Sequence, residues 1–269
     1  MTVLTATRPN PSALAQWWVM TTRFIIPTLR NGELITAIAA SVGFTAGFYI
    51  PLHEFMKPAI GGMSSYGQFL MPLIALQAVY FAAMSTAFRS ANDSVSGLTR
   101  RYGSMPIAPM TPVIARLSAS LYRCLIGIAV ALICGHVIGF RFYGGFLHTA
   151  GFVALLIVLG MLLSLVGDVF GTASRNPEAA MQWMLLPQLI LGMLSVGFQP
   201  VELFPKWIQS FVRNQPISQW VSALRALAGD STPAAGTVTW KLLAISVAWV
   251  VGLALVMGPL SASVQRRRS

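Results

Sequence analysis

The chain has 269 residues, 55% of them hydrophobic and 9% charged, with a net charge of +11. Soluble domains are about 25% charged, so so few Asp, Glu, Lys and Arg residues exclude a chain that faces water on all sides. The basic residues lie scattered among long apolar runs and not on one soluble face, which excludes nucleic-acid binding as the origin of the charge.

Residues 1–11 are polar and contain proline, and read as a disordered cytoplasmic tail. They lack the charged, apolar and small-residue succession of a cleavable secretion signal. Over 12–26, Ser12 is suited to cap a helix that carries Leu14, Trp17, Trp18, Thr21, Phe24 and Ile25 on one face, with Gln16 and Arg23 opposite. A Trp-rich apolar face backed by a basic one lies in the plane of a membrane interface. This predicts an interfacial elbow helix that Pro27 ends.

Six apolar stretches follow, near 34–52, 69–88, 117–140, 149–170, 179–198 and 242–260. Each approaches the roughly 20 residues that cross a hydrocarbon core. The expected fold is an all-α integral membrane protein: a transmembrane domain over 12–265 with six transmembrane helices, closed by a basic cytoplasmic tail at 266–269. Gly-xxx-Gly occurs in these stretches at Gly43 with Gly47 and at Gly167 with Gly171, among others, spacings that let helices approach closely in lipid. Cys124 and Cys134 fall in one predicted helix about 15 Å apart, too far to bridge each other.

Basic residues set the orientation. With both termini inside, Arg8, Arg23, Arg30, Arg89, Arg100, Arg101, Arg116, Arg175 and Arg266, Arg267, Arg268 are cytoplasmic, eleven in all. Lys57, Arg141, Lys206, Arg213 and Arg225, five residues, are then outside. Positive residues favour the cytoplasm, so both ends are expected there, in the inner membrane.

Two connections are neither span nor plain loop. Between the second and third spans, Asp93 is suited to cap a short helix on which Val95, Leu98 and Tyr102 share a face, flanked by Arg100 and Arg101; Pro106, Pro109 and Pro112 stop it. An apolar face in water needs a cover, either its own bundle or a soluble partner that docks on it. Between the fifth and sixth spans, Pro205 opens a short helix with Trp207 and Phe211 on one side and Lys206 and Arg213 on the other, and Pro216 opens a second with Trp220. This segment is too polar to span and too apolar for free loop, and predicts a re-entrant helical hairpin at the outer face, packed on protein. Arg123 and Asp168 are ionisable residues inside spans; antiparallel neighbours at similar depth predict an intramembrane ion pair between them, in direct contact or through a water, against Arg123 snorkelling to the cytoplasmic interface.

Catalysis finds no support. There is no His-Glu-xx-His; His53, His136 and His148 are far apart, and Asp168 is the one acid well inside a span. No metal site and no bound cofactor are expected. An ion-coupled secondary transporter or channel subunit is the alternative transport reading, with Arg123 and Asp168 as its candidate groups.

The elbow helix, six spans, the basic loop ending in Met105-Pro106, and the segments Leu203–Ile208 and Arg213–Pro216 with Arg225 together resemble an ABC-2 (type V exporter) permease. The resemblance is strongest to daunorubicin-resistance B-type permeases, particularly mycobacterial ones that serve envelope-lipid export. It extends through Phe48–Pro51, Val137–Phe142, Arg175–Pro177 and Phe211–Ser218. In many relatives the coupling loop has a Glu beside its Gly-rich turn; here the acid is Asp93, four residues before Gly97. The resemblance implies a permease subunit of an ATP-driven exporter of a lipid or lipophilic drug. Asp93, Val95, Gly97, Leu98, Arg100, Arg101 and Tyr102 would then meet the ATPase. It further implies two copies of an ATPase subunit that carries ATP and Mg, a second permease chain, identical or homologous, and contact with membrane lipids. The chain contains no Gly-xxxx-Gly-Lys-Ser/Thr loop, which agrees with ATP being held elsewhere.

Overall fold

A computed structural model describes residues 12–268 apart from 31, 32, 57, 59, 61, 106 and 109. The expected tail at 1–11 and residue 269 lie outside the described residues, as does the side chain of Arg100. The described chain is α-helical: α1 (Ala13–Arg30), α2 (Glu33–Met56), α3 (Tyr66–Val95), α4 (Leu98–Gly103), α5 (Thr111–Val137), α6 (Gly145–Ala173), α7 (Pro177–Met193), α8 (Lys206–Asn214), α9 (Pro216–Ala228) and α10 (Trp240–Arg268). Among the described residues, four segments are long and apolar enough to cross a membrane: α3, α5, α6 and Pro233–Val264 around α10. Beside them α2 has 24 residues, and α7 has 17. At 1.5 Å per residue α7 measures about 26 Å, slightly less than a hydrocarbon core of roughly 30 Å.

Helix α3 is the axis of the bundle. Ser65 caps it by accepting from the Gln68 amide at 3.0 Å, and most of its length is buried. Its main partner is α6, with α5, α7 and α2 around it. Lipid tails are as apolar as leucine, so close packing and polar bonds hold such helices together more than burial does. Gly167 and Gly171 of α6 meet α3 directly. A Cβ on either would fall against the carbonyl oxygens of Ala83 and Ala87. A Cβ added at Gly43 or Gly47 of α2 would meet nothing within 4 Å among the described residues. Of these two pairs, Gly167–Gly171 is therefore the helix contact among the described residues.

Several boundaries differ from those expected. Helix α1 continues through Pro27 to Arg30, and its Phe24 carbonyl and Thr28 hydroxyl accept from Arg89 at 3.0 and 2.8 Å. Helix α3 does not end at Phe88 but runs about two turns further, to Val95, because Arg89, Ser90 and Ser94 all find partners on neighbouring helices. Helix α5 starts at Thr111, with Pro112 in its first turn. There proline's missing N–H costs nothing, so Pro112 opens a helix and does not stop one. Helix α7 starts at Pro177, where Asn176 accepts from the Glu178 and Ala179 amides, and ends at Met193, five residues earlier than expected. At the other end of the chain α10 carries on through Arg268, so 266–268 continue the helix.

The apolar side of α1 is divided. Trp17, Thr21, Phe24 and Thr28 face the bundle, and the Trp17 indole donates to Ser118 of α5 at 3.1 Å. Leu14, Trp18, Val19, Ile26 and Leu29 are exposed. Helix α10 turns nearly all its apolar surface outward, including Val247, Val251, Leu255 and Val256. Both cysteines are free thiols.

Candidate functional site

The segment expected to dock a partner begins inside α3. Asp93 does not cap the short helix; it lies in the last turn of α3, and its Oδ2 is 3.9 Å from Nη1 of Arg116 on α5. Ser96 caps α3 at its C-terminus, and Gly97, at φ +73°, takes the left-handed conformation that redirects the chain into α4. This break rotates α4 out of the register of α3, so the expected common face is divided. Val95 is 58% exposed, Leu98 is half-buried, and Tyr102 is folded back at 6% exposure. Burial first, then the neighbouring charge of Asp93, push the Tyr102 phenol above its ordinary pKa. Arg101 is exposed. Thus α4 is partly covered by its own bundle, while Val95 at the end of α3, Arg101 on α4 and Met105 just after it are exposed along this corner.

Above this segment the structure contains a buried polar ladder. Asp168 on α6 accepts from Nε of Arg116 at 2.6 Å, from its Nη2 at 3.3 Å, and from Ser90 of α3 at 2.5 Å. Arg116 and Asp168 are 4% and 1% exposed. The expected partner of Asp168 was Arg123; the bonds that hold Asp168 come instead from Arg116 and Ser90, and Arg123 Nη2 donates to Thr86 of α3 at 3.0 Å. Thr86 donates in turn to Ser120 at 2.9 Å, and Ser120 pairs with Ser164 at 2.5 Å. One turn beyond Asp168, Ser94 donates to the Thr172 carbonyl at 3.1 Å.

The reason for the exchange is depth. Helix α5 starts six residues earlier than expected, which moves Arg116 from the membrane edge into the bundle. Arg116 stands five residues from the start of α5, and Asp168 five from the end of α6. Arg123 is seven residues further in, about 10 Å along the axis. Sequence reasoning missed Arg116 as a buried group, and with it Thr86, Ser90, Ser120 and Ser164. A signal existed: Thr86-Ser90-Ser94, Arg116-Ser120 and Ser164-Asp168-Thr172 each repeat every four residues, a polar stripe along an otherwise apolar helix.

At the opposite end of the bundle, residues 205–228 form two short helices, α8 and α9, broken at Gln215 and Pro216. Helix α9 is deeply packed: Trp220 is 2% exposed, with its indole N–H donating to the Ser246 carbonyl of α10. Helix α8 is peripheral, with Trp207 82% exposed and Phe211 and Arg213 also exposed. Gln215 donates to the Leu191 and Leu194 carbonyls at 2.8 and 3.0 Å. It thereby satisfies acceptors that the end of α7 leaves open. Arg225 of α9, half-buried, donates to the carbonyls of Phe69 at 2.9 Å and Val196 at 3.2 Å, and its guanidinium covers the Phe69 ring at 4.0 Å. Gln68 clasps the same end: it accepts from the Arg141 amide at 3.0 Å and donates to the Arg141 and Gly229 carbonyls.

No family model matches the chain. Among known proteins, it is 46% identical over 258 residues to the doxorubicin resistance ABC transporter permease protein DrrB of Mycobacterium tuberculosis, covering 94% of this chain and 89% of that one. It is 28% identical over 189 residues to the probable doxorubicin resistance ABC transporter permease protein DrrC of the same organism, covering 69% and 68%. The daunorubicin resistance ABC transporter permease protein DrrB1 of Streptomyces coeruleorubidus is 26% identical over 204 residues, covering 76% and 70%. With a multi-pass apolar helical bundle, and near-full-length identity far above chance, the chain belongs to the DrrB-like ABC-2 transporter permeases of the doxorubicin- and daunorubicin-resistance group.

Proposed function

We propose that this chain is one half of the membrane domain of an ATP-driven exporter that moves a lipophilic compound, either an anthracycline-like drug or an envelope lipid, out across the inner membrane. The observation that carries the reading is the 46% identity across nearly the whole chain to a doxorubicin-resistance permease. Two copies of an ATPase subunit and a second permease chain complete the assembly, and this chain binds no nucleotide itself. The bundle is inserted with six spans, α2, α3, α5, α6, α7 and α10, and with both termini in the cytoplasm. In that orientation α1 lies along the inner interface, its exposed Leu14, Trp18 and Val19 in lipid. Helices α8 and α9 form a re-entrant pair at the outer face, with Trp207 at headgroup level. The edge formed by Val95, Arg101 and Met105 faces the ATPase.

The ion-coupled alternative needs an ionisable group able to take and release a cation near mid-membrane. Asp168 is committed to Arg116 and Ser90 near one end of its helix, which favours the exporter. The test is purification of the tagged chain from its native membrane, with mass spectrometry of bound subunits and lipids. A stoichiometric ABC ATPase and lower doxorubicin accumulation in cells expressing the pair are expected. Purification without any ATPase, together with doxorubicin accumulation unaffected by ATP depletion, would overturn the reading.

A further inference from the structure

Arg116 is shared unequally between two carboxylates. One edge of its guanidinium, Nε and Nη2, is bonded to Asp168 of α6 at 2.6 and 3.3 Å. Its remaining nitrogen, Nη1, points to Oδ2 of Asp93 at 3.9 Å. That separation is an ion pair but not a hydrogen bond, which requires about 3 Å. Asp93 Oδ2 is buried and accepts no hydrogen bond. The carboxylate is 14% exposed, so solvent supplies only part of what it lacks. A charge in this condition is poorly served by the conformation it occupies.

Asp93 also stands where movement would arrive. It is two residues from the end of α3, and Gly97, at φ +73°, follows as the break before α4. Tyr102 of α4 is buried near Asp93. Displacing α4 about the Ser96–Gly97 break would press the last turn of α3 through this ring. A shift of about 1 Å would bring Asp93 within hydrogen-bond reach of Arg116. Asp168 is meanwhile held by Ser90, one turn before Asp93 on the same helix, at 2.5 Å. Arg23 and Arg89, the other cations that act on Asp93, belong to α1 and α3 and not to α6. Arg116 is in direct ion-pair reach of both the end of α3 and the interior of α6.

We propose that Arg116 is a positioning residue that couples the α3–α4 corner to α6, holding Asp168 in the present conformation and taking up Asp93 when α4 is displaced. Asp93 is then the acceptor used in the displaced state, and Asp168 the acceptor used at rest. The proposal rests on the exporter reading, in which ATPase closure is what displaces α4. A buried cation moves between two states only if each state offers it an acceptor, because a buried unpaired charge is strongly disfavoured. The two carboxylates meet that requirement.

The test compares Asp93→Asn, Asp93→Glu and Asp168→Asn in the full complex with its ATPase, reconstituted in vesicles. Doxorubicin moved per ATP hydrolysed and the melting temperature of the complex are the two readouts. Asp93→Asn is expected to lower the transport-to-hydrolysis ratio roughly tenfold, in the range of mutations along a coupling network, with melting close to wild type. Asp93→Glu keeps the charge and is expected to restore the ratio. Asp168→Asn is expected to lower melting clearly. An Asp93→Asn complex with a wild-type ratio overturns the proposal, as does one whose melting falls as far as that of Asp168→Asn, since Asp93 would then be a resting-state structural group. A wild-type complex with no ATP-dependent transport fails the exporter reading and takes this proposal with it; wild-type transport with an unaffected Asp93→Asn fails the proposal alone.

Discussion

Arg116 and Asp168 face each other across α5 and α6, five residues from the start of one helix and five from the end of the other, and their side chains meet at 2.6 Å. Removing one partner of a buried pair leaves a bare charge, at a cost of about 3–5 kcal/mol, whereas replacing both by apolar groups is often neutral. Asp168→Leu alone should lower the unfolding free energy of the purified chain by that amount. Asp168→Leu combined with Arg116→Met should recover most of it. A denaturant titration in detergent measures both, and additive losses would show that the two side chains do not act as a pair.

The Gly43–Gly47 and Gly167–Gly171 pairs should respond with opposite signs. Gly171→Ala drives a methyl group into the Ala87 carbonyl, and backbone cannot yield cheaply, so reduced membrane expression and a lower melting temperature are expected. Gly43→Ala meets nothing within 4 Å and replaces a poor helix former, which is worth up to about 1 kcal/mol in favour of the variant. Fluorescence-detected size exclusion after heating distinguishes the two; equal behaviour would sink the assignment of the α3–α6 contact to glycine.

Gln215 closes the end of α7 through two carbonyls. Gln215→Ala leaves both of those acceptors without this donor, and a loss of about 1–3 kcal/mol is expected. Gln215→Glu retains the shape but removes the donating N–H, and should cost at least as much. If Gln215→Glu unfolds like wild type, the side chain acts through packing and not through its hydrogen bonds.

Asp230 is the acceptor of a surface staple at the α9 end, bonded by the amide and hydroxyl of Ser64, the Thr232 hydroxyl and the Ser231 amide. Partial burial raises its pKa, but these donors outweigh burial and hold the carboxyl below its ordinary value. A group whose folded-state pKa is depressed adds stability above its unfolded value, about 3.9, and loses it as pH falls through the lower folded value. The melting difference between wild type and Asp230→Asn should thus be constant from neutral pH down to about 5 and shrink under more acid conditions. A difference that instead grows on acidification would reverse the sign of the shift.

The exposed α3–α4 corner gives the last prediction. Val95 is 58% exposed and Tyr102 is buried, so Val95→Asp, more than a change at Tyr102, should abolish ATPase co-purification while leaving membrane insertion intact. Arg101→Ala should weaken assembly mildly and in a salt-dependent way, as expected of a rim charge. Lys206→Cys on α8 should react with an impermeant thiol reagent added outside the cell. Labelling from the cytoplasm alone would invert the proposed orientation.

Much of this protein was legible along one dimension. Apolar runs and sparse charge identify a membrane bundle because lipid selects composition residue by residue, and the 205–228 helix pair was legible because Pro205 and Pro216 mark each start. Which helix ends where was not. Continuation of α3 past Phe88 depends on Arg89, Ser90 and Ser94 finding acceptors on α1 and α6, and no local pattern contains those partners. The same holds for the choice between Gly43–Gly47 and Gly167–Gly171, which are identical as spacings and differ only in what stands opposite. It holds most of all for Asp168. Sequence alone determined that a buried acid needs a cation; which arginine answers was decided by the depth at which α5 begins, and that depth is a property of the packed bundle.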